Sequence, residues 1–174
     1  NALFIIGTGK ILNIPNELIA QFLKTTKALE HRLENFFLKK NTLFVNDSKG
    51  TNVESTVKAI EAFKNKVVLI AGGENKKICN DELIKKINER VGFVYLIGET
   101  GTILAEEMDK VGYKKYKNLG TLEKVLLDIR ENIDFEDGQT ILFSPATASF
   151  DQFKNFEERG RIFKELTNKI LGEK

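Results

Sequence analysis

An alternation of β-rich apolar runs with helical segments is the feature that most constrains this fold. Runs rich in β-branched and aromatic residues lie at 66–71, 93–98 and 140–144, and each predicts a buried strand. Segments with apolar residues at helical spacing lie before, between and after these runs, at 52–64, 81–90, 101–111, 121–132 and 156–171. This order predicts an α/β fold with a mostly parallel sheet and helices on both faces.

The segment before this alternation predicts an antiparallel hairpin at one edge of the sheet. Its two strand-like runs, 33–38 and 42–46, are separated by a Lys-Lys-Asn turn, and a further weak strand is predicted at 114–117. Residues 1–30 differ, because they predict two helices and no strand. We therefore expect them to be the tail of a preceding domain, with 31–174 as the main domain. A first residue other than methionine favours a fragment of a longer protein.

Charge and cysteine content narrow the classes of partner. The net charge is +2, and basic and acidic residues are interspersed, so we expect neither nucleic acid nor a membrane as a partner. No apolar run approaches the roughly 20 residues that cross a bilayer. The single cysteine, Cys79, allows no internal disulfide and no CxxC metal site, and it fits a reducing, cytoplasmic environment.

Three polar loops follow the predicted parallel strands. They read NDSKGTN at 46–52, GGENK at 72–76 and SPATASFD at 144–151. In an open α/β sheet, ligands bind beyond the carboxyl ends of the strands, where these loops should meet. Any one of them is also explained as a tight turn. Because all three carry charged or hydroxyl groups, together they favour a binding site.

The first loop carries the most information. Asp47 and Lys49 leave a buried strand, where a charge requires a partner or a ligand. Thr51 and Glu54 fit a capping box, so Thr51 is either a helix cap alone or part of a helix N-terminus that binds an anion. Both interpretations can hold together.

The other two loops leave alternatives open. Lys76 follows two glycines at 72–73, which allow a close approach of the backbone, but exposed lysines are common. Ser144, Ser149 and Asp151 precede a helix, where they would form a cap cluster or bind a carboxylate or phosphate.

Two other features do not indicate catalysis. The GTGK sequence at 7–10 lacks the P-loop requirements of glycine at position 4 and serine or threonine at position 11, which hold Phe4 and Ile11. His31 is the only histidine, and no second metal ligand or nucleophile accompanies it. The residues by themselves predict an anion-binding site without a complete catalytic apparatus.

Four segments resemble the motifs of the Mur ligase family, and of its D-glutamate-adding branch in particular. They are HRLE at 31–34, NDSKGTN at 46–52, GGENK at 72–76 and SPATASFDQFKNFEERG at 144–160. The chain departs from the family where Glu30 precedes His31 instead of the frequent proline, and at Glu74, which is aspartate in some members. Order and spacing agree over essentially the whole chain.

The resemblance implies a Rossmann-like C-terminal domain, preceded by the tail of the central ATPase domain. It implies the addition of D-glutamate to UDP-N-acetylmuramoyl-L-alanine for peptidoglycan, with ATP and Mg²⁺, through an acyl phosphate. The enzyme's own N-terminal and central domains would be partners. They would supply the P-loop and the metal ligands, so that this chain alone is expected to be inactive and to hold no metal.

Roles for individual residues also follow from the resemblance. Lys49 would stabilise the phosphate and the tetrahedral intermediate. The nucleotide side would comprise Asn1, His31, Arg32, Asp47 and Lys49. The D-glutamate side would comprise Thr51, Lys76, Ser149, Phe150 and Phe156, the last through its backbone.

Two alternatives remain. One is a related ligase such as a folylpolyglutamate synthase, which shares the domain order but does not fit the DQFKNFEERG stretch at 151–160. The other is a stand-alone binding or regulatory module of the same fold. A P-loop upstream in the same reading frame would identify a ligase.

Overall fold

Six strands form one sheet in a computed structural model that describes residues 2–26, 29–75 and 80–172. The strands are β1 (Glu34–Lys39), β2 (Thr42–Asn46), β3 (Val67–Gly72), β4 (Val91–Ile97), β5 (Tyr116–Gly120) and β6 (Thr140–Phe143). Their order in the sheet is β1-β2-β6-β3-β4-β5. Only the pair β1–β2 is antiparallel, and the other neighbours are parallel, which confirms the predicted sheet with its edge hairpin.

Helices cover both faces of the sheet, as the alternation predicts. The helices are α1 (Ala2–Ile11), α2 (Asn16–Thr25), α3 (Val53–Glu61), α4 (Asp81–Arg90), α5 (Thr100–Lys110), α6 (Leu122–Asn132) and α7 (Phe156–Leu171), with a short 3-10 helix at Phe135–Asp137. Buried residues of α3, α4 and α5 share one core cluster with one face of the sheet, and those of α6 and α7 share a second cluster with the other face.

The central strand β3 shows why the sheet has two cores. All six of its residues are buried, and they alternate between the two clusters, with Leu69 in the first and Val68 and Ile70 in the second. Successive side chains of a strand point to opposite faces, so a continuous apolar run suits a strand covered on both sides.

Strand β5 differs from its prediction. It spans Tyr116–Gly120, whereas the sequence predicts a strand at 114–117. Because β5 pairs only with β4 and lies at the sheet edge, none of its residues is fully buried. Its sequence, YKNLG, therefore carries little of the apolar signal by which a strand is recognised.

The two helices predicted in residues 1–30 are present as α1 and α2, and they contact each other as a helical hairpin. The GTGK sequence lies inside α1, which confirms that it is not a phosphate loop. An apolar cavity of about 510 Å³ opens on this hairpin, and Phe4, Leu18 and Phe22 line it with more than half of each side chain exposed. Among the described residues, no helix is long and apolar enough to cross a membrane.

Candidate functional site

The three polar loops meet at one edge of the sheet, as predicted. The Ser144 hydroxyl donates to Oδ2 of Asp47 at 2.7 Å, which joins the loops after β6 and β2. The Gly72 amide donates to the Pro145 carbonyl at 2.8 Å, and the Glu74 amide donates to the Ala148 carbonyl at 3.0 Å. These two bonds join the loop after β3 to the loop after β6. The carboxyl ends of β2, β6 and β3 therefore carry one continuous surface.

Arg159 of α7 is hydrogen-bonded to two of these loops, the one after β2 and the one after β6. Its side chain is completely buried and donates four hydrogen bonds. Two go to the hydroxyl and carbonyl of Ser48, at 3.1 and 2.8 Å. The other two go to the carbonyls of Thr147 and Ala148, at 3.1 and 3.0 Å. Burial lowers the pKa of this guanidinium to about 10, so that it remains charged at neutral pH.

Asp47 is a buried carboxylate whose partners are mostly neutral. Besides the Ser144 hydroxyl, it accepts a hydrogen bond from the Leu33 amide at 3.1 Å, through Oδ1. Burial raises the pKa of Asp47, while these two hydrogen bonds and the charge of Arg32 oppose that rise. No ion pair joins Asp47 to Lys49 within the described part of the chain.

Arg32, Asp47 and Lys49 line the same cavity, of about 240 Å³, beside the first turns of α3. The exposed Lys58 also lines it and pairs with Glu54. Cations beside a helix N-terminus suit an anion such as a phosphate. The cavity is smaller than the roughly 300–1,000 Å³ of pockets that enclose whole ligands of drug size, so it fits only part of a nucleotide.

Lys49 itself lies between two places suited to negative charge. Its side chain is exposed and lines the cavity, and its ammonium lies 5.3 Å from the centre of the Phe156 ring. Phe156 is the first residue of α7, whose N-terminus presents amide groups. Its backbone amide makes no hydrogen bond within the described residues, which leaves it available to an anion.

The helix caps differ from the predictions. Asn52, and not Thr51, caps α3, with its side-chain oxygen accepting from the Ser55 amide at 2.8 Å. The capping-box interpretation of Thr51 is therefore wrong, and the Thr51 hydroxyl has no hydrogen-bond partner in the part of the chain that the structure describes. Asn155 caps α7, so the predicted cap cluster of Ser144, Ser149 and Asp151 is also wrong.

The remaining residues predicted for the D-glutamate side lie as follows. Ser149 is 2% exposed at the end of the loop after β6, and its hydroxyl forms no hydrogen bond to any described residue. Phe150 follows it with 63% of its side chain exposed. The positions of Lys76, and of Asn1 on the nucleotide side, lie outside the described residues.

His31 lies apart from the cavity, in a polar network at the start of the main domain. Its side chain is 2% exposed, and Nδ1 lies 2.9 Å from Nδ2 of Asn46. That amide nitrogen also donates to Glu34 and to the Gly160 carbonyl, so His31 Nδ1 accepts, and Nε2 carries the ring proton. Burial lowers the pKa of His31, which keeps the ring neutral.

Glu30, His31 and Glu34 offer ligand atoms within 4.8 Å of one another, a spacing that a metal ion could use. However, the Lys164 ammonium contacts both carboxylates, at 2.8 and 2.9 Å. A lysine therefore already supplies the positive charge that this cluster requires. Arg32, the next residue after His31, is exposed and lines the cavity, whereas His31 does not.

Three residues important to the site were not predicted from the sequence. Arg159 and Ser48 hold the loops together, and Asn46 joins β2 to His31. All three lie inside the motifs that carried the resemblance, but no local pattern indicates their partners. The one usable signal is an arginine at a buried position of α7, since arginine is rarely buried without several acceptors.

Comparisons with known proteins show the family to which this chain belongs. The family described as "Mur ligase, glutamate ligase domain" matches residues 31–147. A UDP-N-acetylmuramoylalanine–D-glutamate ligase from Fusobacterium nucleatum is 44% identical, over 99% of this chain and 40% of its own length. Relatives of the same name from Thermoanaerobacter sp. X514 and Caldicellulosiruptor bescii are 42% and 38% identical, each over 37% of its own length. This chain thus spans about two fifths of the length of these relatives.

Two solved structures share the fold. MurF from Thermotoga maritima in complex with ADP has a TM-score of 0.59 at 17% identity and covers 94% of this chain and 37% of that chain. A bifunctional folylpolyglutamate synthase/dihydrofolate synthase from Yersinia pestis has a TM-score of 0.62 at 15% identity and covers 87% and 34%. At such identities the likeness concerns the fold alone. Since the family match spans most of the chain, including two of the three loops at the sheet edge and the start of the third, the chain belongs to the Mur ligase family and carries its glutamate ligase domain.

Proposed function

We propose that this chain is the amino-acid-binding part of an ATP-dependent ligase that adds D-glutamate to UDP-N-acetylmuramoyl-L-alanine. The observation that carries this proposal is the place of Lys49, which borders both the phosphate-sized cavity and the N-terminus of α7. A reaction that joins a phosphate-activated acid to an anionic amino acid needs a cation at that junction. The name of the relatives, which are 38–44% identical, supports this substrate pair.

The chemistry of such a ligase explains the choice of groups. ATP would phosphorylate the carboxylate of the alanine residue, and the amine of D-glutamate would then attack the acyl phosphate. Negative charge grows on the carbonyl oxygen in the tetrahedral intermediate and on the phosphate that leaves. A preorganised cation such as Lys49 stabilises that charge more in the transition state than in the ground state, and so it increases the rate.

Recognition of D-glutamate would rest on hydrogen-bond donors placed around two carboxylates. The Thr51 and Ser149 hydroxyls and the Phe156 amide have no other partner in the described residues, which supports this role. We assign Lys76 to the same group as a cation, and Phe150 as a neighbouring contact. Donors of this kind at helix starts bind carboxylates well.

The nucleotide would bind only in part to this chain. The cavity that Arg32, Asp47 and Lys49 line has room for phosphate groups. We assign Asn1 to the rest of the nucleotide site, and His31, whose side chain is buried, to the support of the neighbouring Arg32. ADP in the Thermotoga maritima MurF structure supports nucleotide use. Since both oxygens of Asp47 already accept hydrogen bonds, we place the Mg²⁺ ligands in the other domains.

Those other domains are also the proposed partners of this chain. The relatives are about two and a half times as long, and the hairpin of α1 and α2 exposes an apolar cavity that a preceding domain would cover. We therefore assign residues 1–30 to the tail of the central ATPase domain. The single cysteine fits a reducing environment, and we place the reaction in the cytoplasm.

A chimera tests the proposal. The matching two fifths of the Fusobacterium nucleatum relative is replaced by this chain, and phosphate release is measured with UDP-N-acetylmuramoyl-L-alanine and either D-glutamate, L-glutamate, D-alanine or a folate. We expect release that depends on D-glutamate. Lys49→Ala should lower kcat by about a hundredfold or more, whereas Lys86→Ala, on the distant helix α4, should not. Thr51→Val and Ser149→Ala should raise the KM for D-glutamate.

The alternatives predict different results from the same assay. Release that depends on a folate substrate would indicate a folylpolyglutamate-type ligase. A folded chimera that releases no phosphate with any acceptor would contradict the ligase function and favour a binding module.

A further inference from the structure

The turn that enters the main domain is conformationally costly and therefore has to be held. His31 and Leu33 both adopt positive φ angles, of 65° and 44°. Residues other than glycine rarely occupy this region, and such a conformation persists only where the surrounding structure imposes it. A specific set of contacts must therefore stabilise this turn.

Glu34 supplies the central contact. Its Oε2 accepts hydrogen bonds from the His31 amide at 3.0 Å and from Nδ2 of Asn46 at 3.1 Å. Its Oε1 accepts from the Lys164 ammonium at 2.9 Å, and Lys164 also contacts Glu30 at 2.8 Å. Both oxygens of Glu34 are therefore used, and they tie the turn to β2 and to α7.

Gly160 of α7 contacts the side chain of His31 in the same turn. A Cβ atom at this position would lie only 2.3 Å from Nδ1 of His31, so the imidazole packs directly against the backbone of α7. Lys164 lies one helical turn further along the same face of α7. α7 thus offers the His31 ring a backbone surface without a side chain at Gly160, and it offers the carboxylates of Glu30 and Glu34 the Lys164 ammonium.

The turn at 31–33 is also hydrogen-bonded to two residues of the candidate site. The His31 carbonyl accepts a hydrogen bond from the Lys49 amide at 3.0 Å. The Leu33 amide donates to Asp47 at 3.1 Å. Whatever fixes the backbone of the turn therefore also fixes the backbone of Lys49 and one oxygen of Asp47.

We propose that Glu34, supported by Lys164, is a positioning residue that places Lys49 through the backbone of His31. The proposal rests on the proposed function for its effect on catalysis, while the contact chain itself is independent of it. Exposed ion pairs contribute little to stability. Here both side chains are only 22% exposed, and Glu34 makes three hydrogen bonds from one carboxylate. Loss of the Glu34–Lys164 ion pair is therefore expected to change the position of Lys49, whereas loss of an exposed ion pair would not.

Amide hydrogen exchange measured by NMR on this chain tests the positioning directly. Glu34→Gln and Lys164→Met should each raise the exchange rate of the Lys49 amide by about tenfold, close to the worth of one hydrogen bond. Lys164→Arg, which keeps both carboxylate contacts, should restore protection. Lys86→Met is the matched control, because Lys86 is 20% exposed and also contacts two carboxylates, Glu61 and Glu89, but lies on α4.

The results separate a positioning role from general stability. An unchanged rate at Lys49, or an equal rise at core amides such as those of β3, would overturn the inference. In the chimera, Glu34→Gln should lower kcat and leave the KM for D-glutamate unchanged, with recovery in Lys164→Arg relative to Lys164→Met. Faster exchange at Lys49 with normal kcat would also overturn it. A wild-type chimera without activity, but with the exchange effect present, would contradict the proposed function and support the positioning contact.

Discussion

The Ser144 hydroxyl donates a hydrogen bond to Asp47 at 2.7 Å across 97 residues of sequence. Both side chains are almost completely buried, at 0% and 5% exposure. The second oxygen of Asp47 accepts from the Leu33 amide, so two neutral donors hold a carboxylate that burial destabilises. A charge kept in this way costs stability, and such costs are typical of functional sites.

Asp47→Asn should therefore separate stability from activity. An amide keeps an acceptor for the Leu33 amide and can donate to the Ser144 hydroxyl, while it removes the buried charge. We expect the free energy of unfolding, measured with urea, to stay equal or to rise by up to about 1 kcal/mol. Ligase activity in the chimera should fall.

Asp128→Asn is the matched control for this prediction. Asp128 pairs with the Lys117 ammonium at 2.7 Å and accepts from the Tyr95 hydroxyl at 2.8 Å. The pKa of Asp128 is lowered, so its ionised form is favoured in the folded state, and the amide should lower stability. Equal destabilisation by both substitutions would contradict our account of Asp47.

His31 should make the protein less stable in mild acid. Burial lowers the pKa of the imidazole, so the unfolded chain binds a proton more readily than the folded chain does. The free energy of unfolding should therefore fall as pH decreases through about 6.5, the ordinary histidine value. Glu30 and Glu34, whose pKa values are lowered, lose their contributions only at more acidic pH, below about 4.5.

Two measurements check the state of His31. Urea unfolding at pH about 7.5 and 5.5 should show the loss of stability, and His31→Gln should show less of it, because His31 is the only histidine. Nitrogen chemical shifts of the ring should report a neutral imidazole with the proton on Nε2. A ring that titrates at or above the ordinary value would contradict the structure.

The sequence predicts the sheet better than it predicts the contacts beneath the site. The runs that form β3, β4 and β6 are apolar throughout because both faces are covered, and this signal is local. The placement of Asp47 and Ser144 at the same edge follows from the parallel orientation of the strands. Their direct contact depends on the pairing of β2 with β6, which no local pattern indicates. The predicted cap at Thr51 failed because Asn52 competes for the same amide groups, and the sequence does not decide between adjacent caps.

Contacts that depend on the docking of α7 could not be predicted in this way. Arg159 reaches Ser48 across 111 residues, and Lys164 reaches Glu34 across 130. No periodicity encodes such a pairing, since it depends on the angle and register at which a helix lies on the sheet. The residues were visible in the sequence, but their partners were not.

Removal of the Arg159 guanidinium should destabilise the domain strongly. Arg159→Met would leave the buried carbonyls of Ser48 and Thr147 without a donor among the described residues, and each such acceptor costs about 1–3 kcal/mol. The Ala148 carbonyl would keep the hydrogen bond from the Glu74 amide. We expect a loss of about 3 kcal/mol or more in urea unfolding. Arg159→Lys should recover little, because one ammonium cannot reach all of these acceptors.

Arg130→Met is the control for the loss of an arginine from a helix. Arg130 lies on α6 with 49% of its side chain exposed, and its ion pair with Glu131, the one found among the described residues, is long, at 3.8 Å. Its replacement should change stability by less than about 0.5 kcal/mol. If Arg159→Met were as mild, the four hydrogen bonds of Arg159 could not be what joins the loops.

Two helical glycines should respond in opposite directions to alanine. Alanine is favoured over glycine within a helix by about 1 kcal/mol, so Gly7→Ala in α1, with no atom within 4 Å of the new Cβ, should raise helicity. Gly160→Ala in α7 should lower stability by about 1–3 kcal/mol despite the same gain, because its Cβ would overlap the His31 ring. Circular dichroism and urea unfolding measure both effects.

A double substitution identifies the cause of that loss. If the overlap with His31 is responsible, His31→Ala should make Gly160→Ala much less harmful, because the ring that the new methyl group meets is gone. The coupling free energy of the two substitutions would then approach the whole loss in Gly160→Ala. Additive effects would mean that alanine disturbs α7 by another route, and the packing of the imidazole against this helix would not be what requires a glycine.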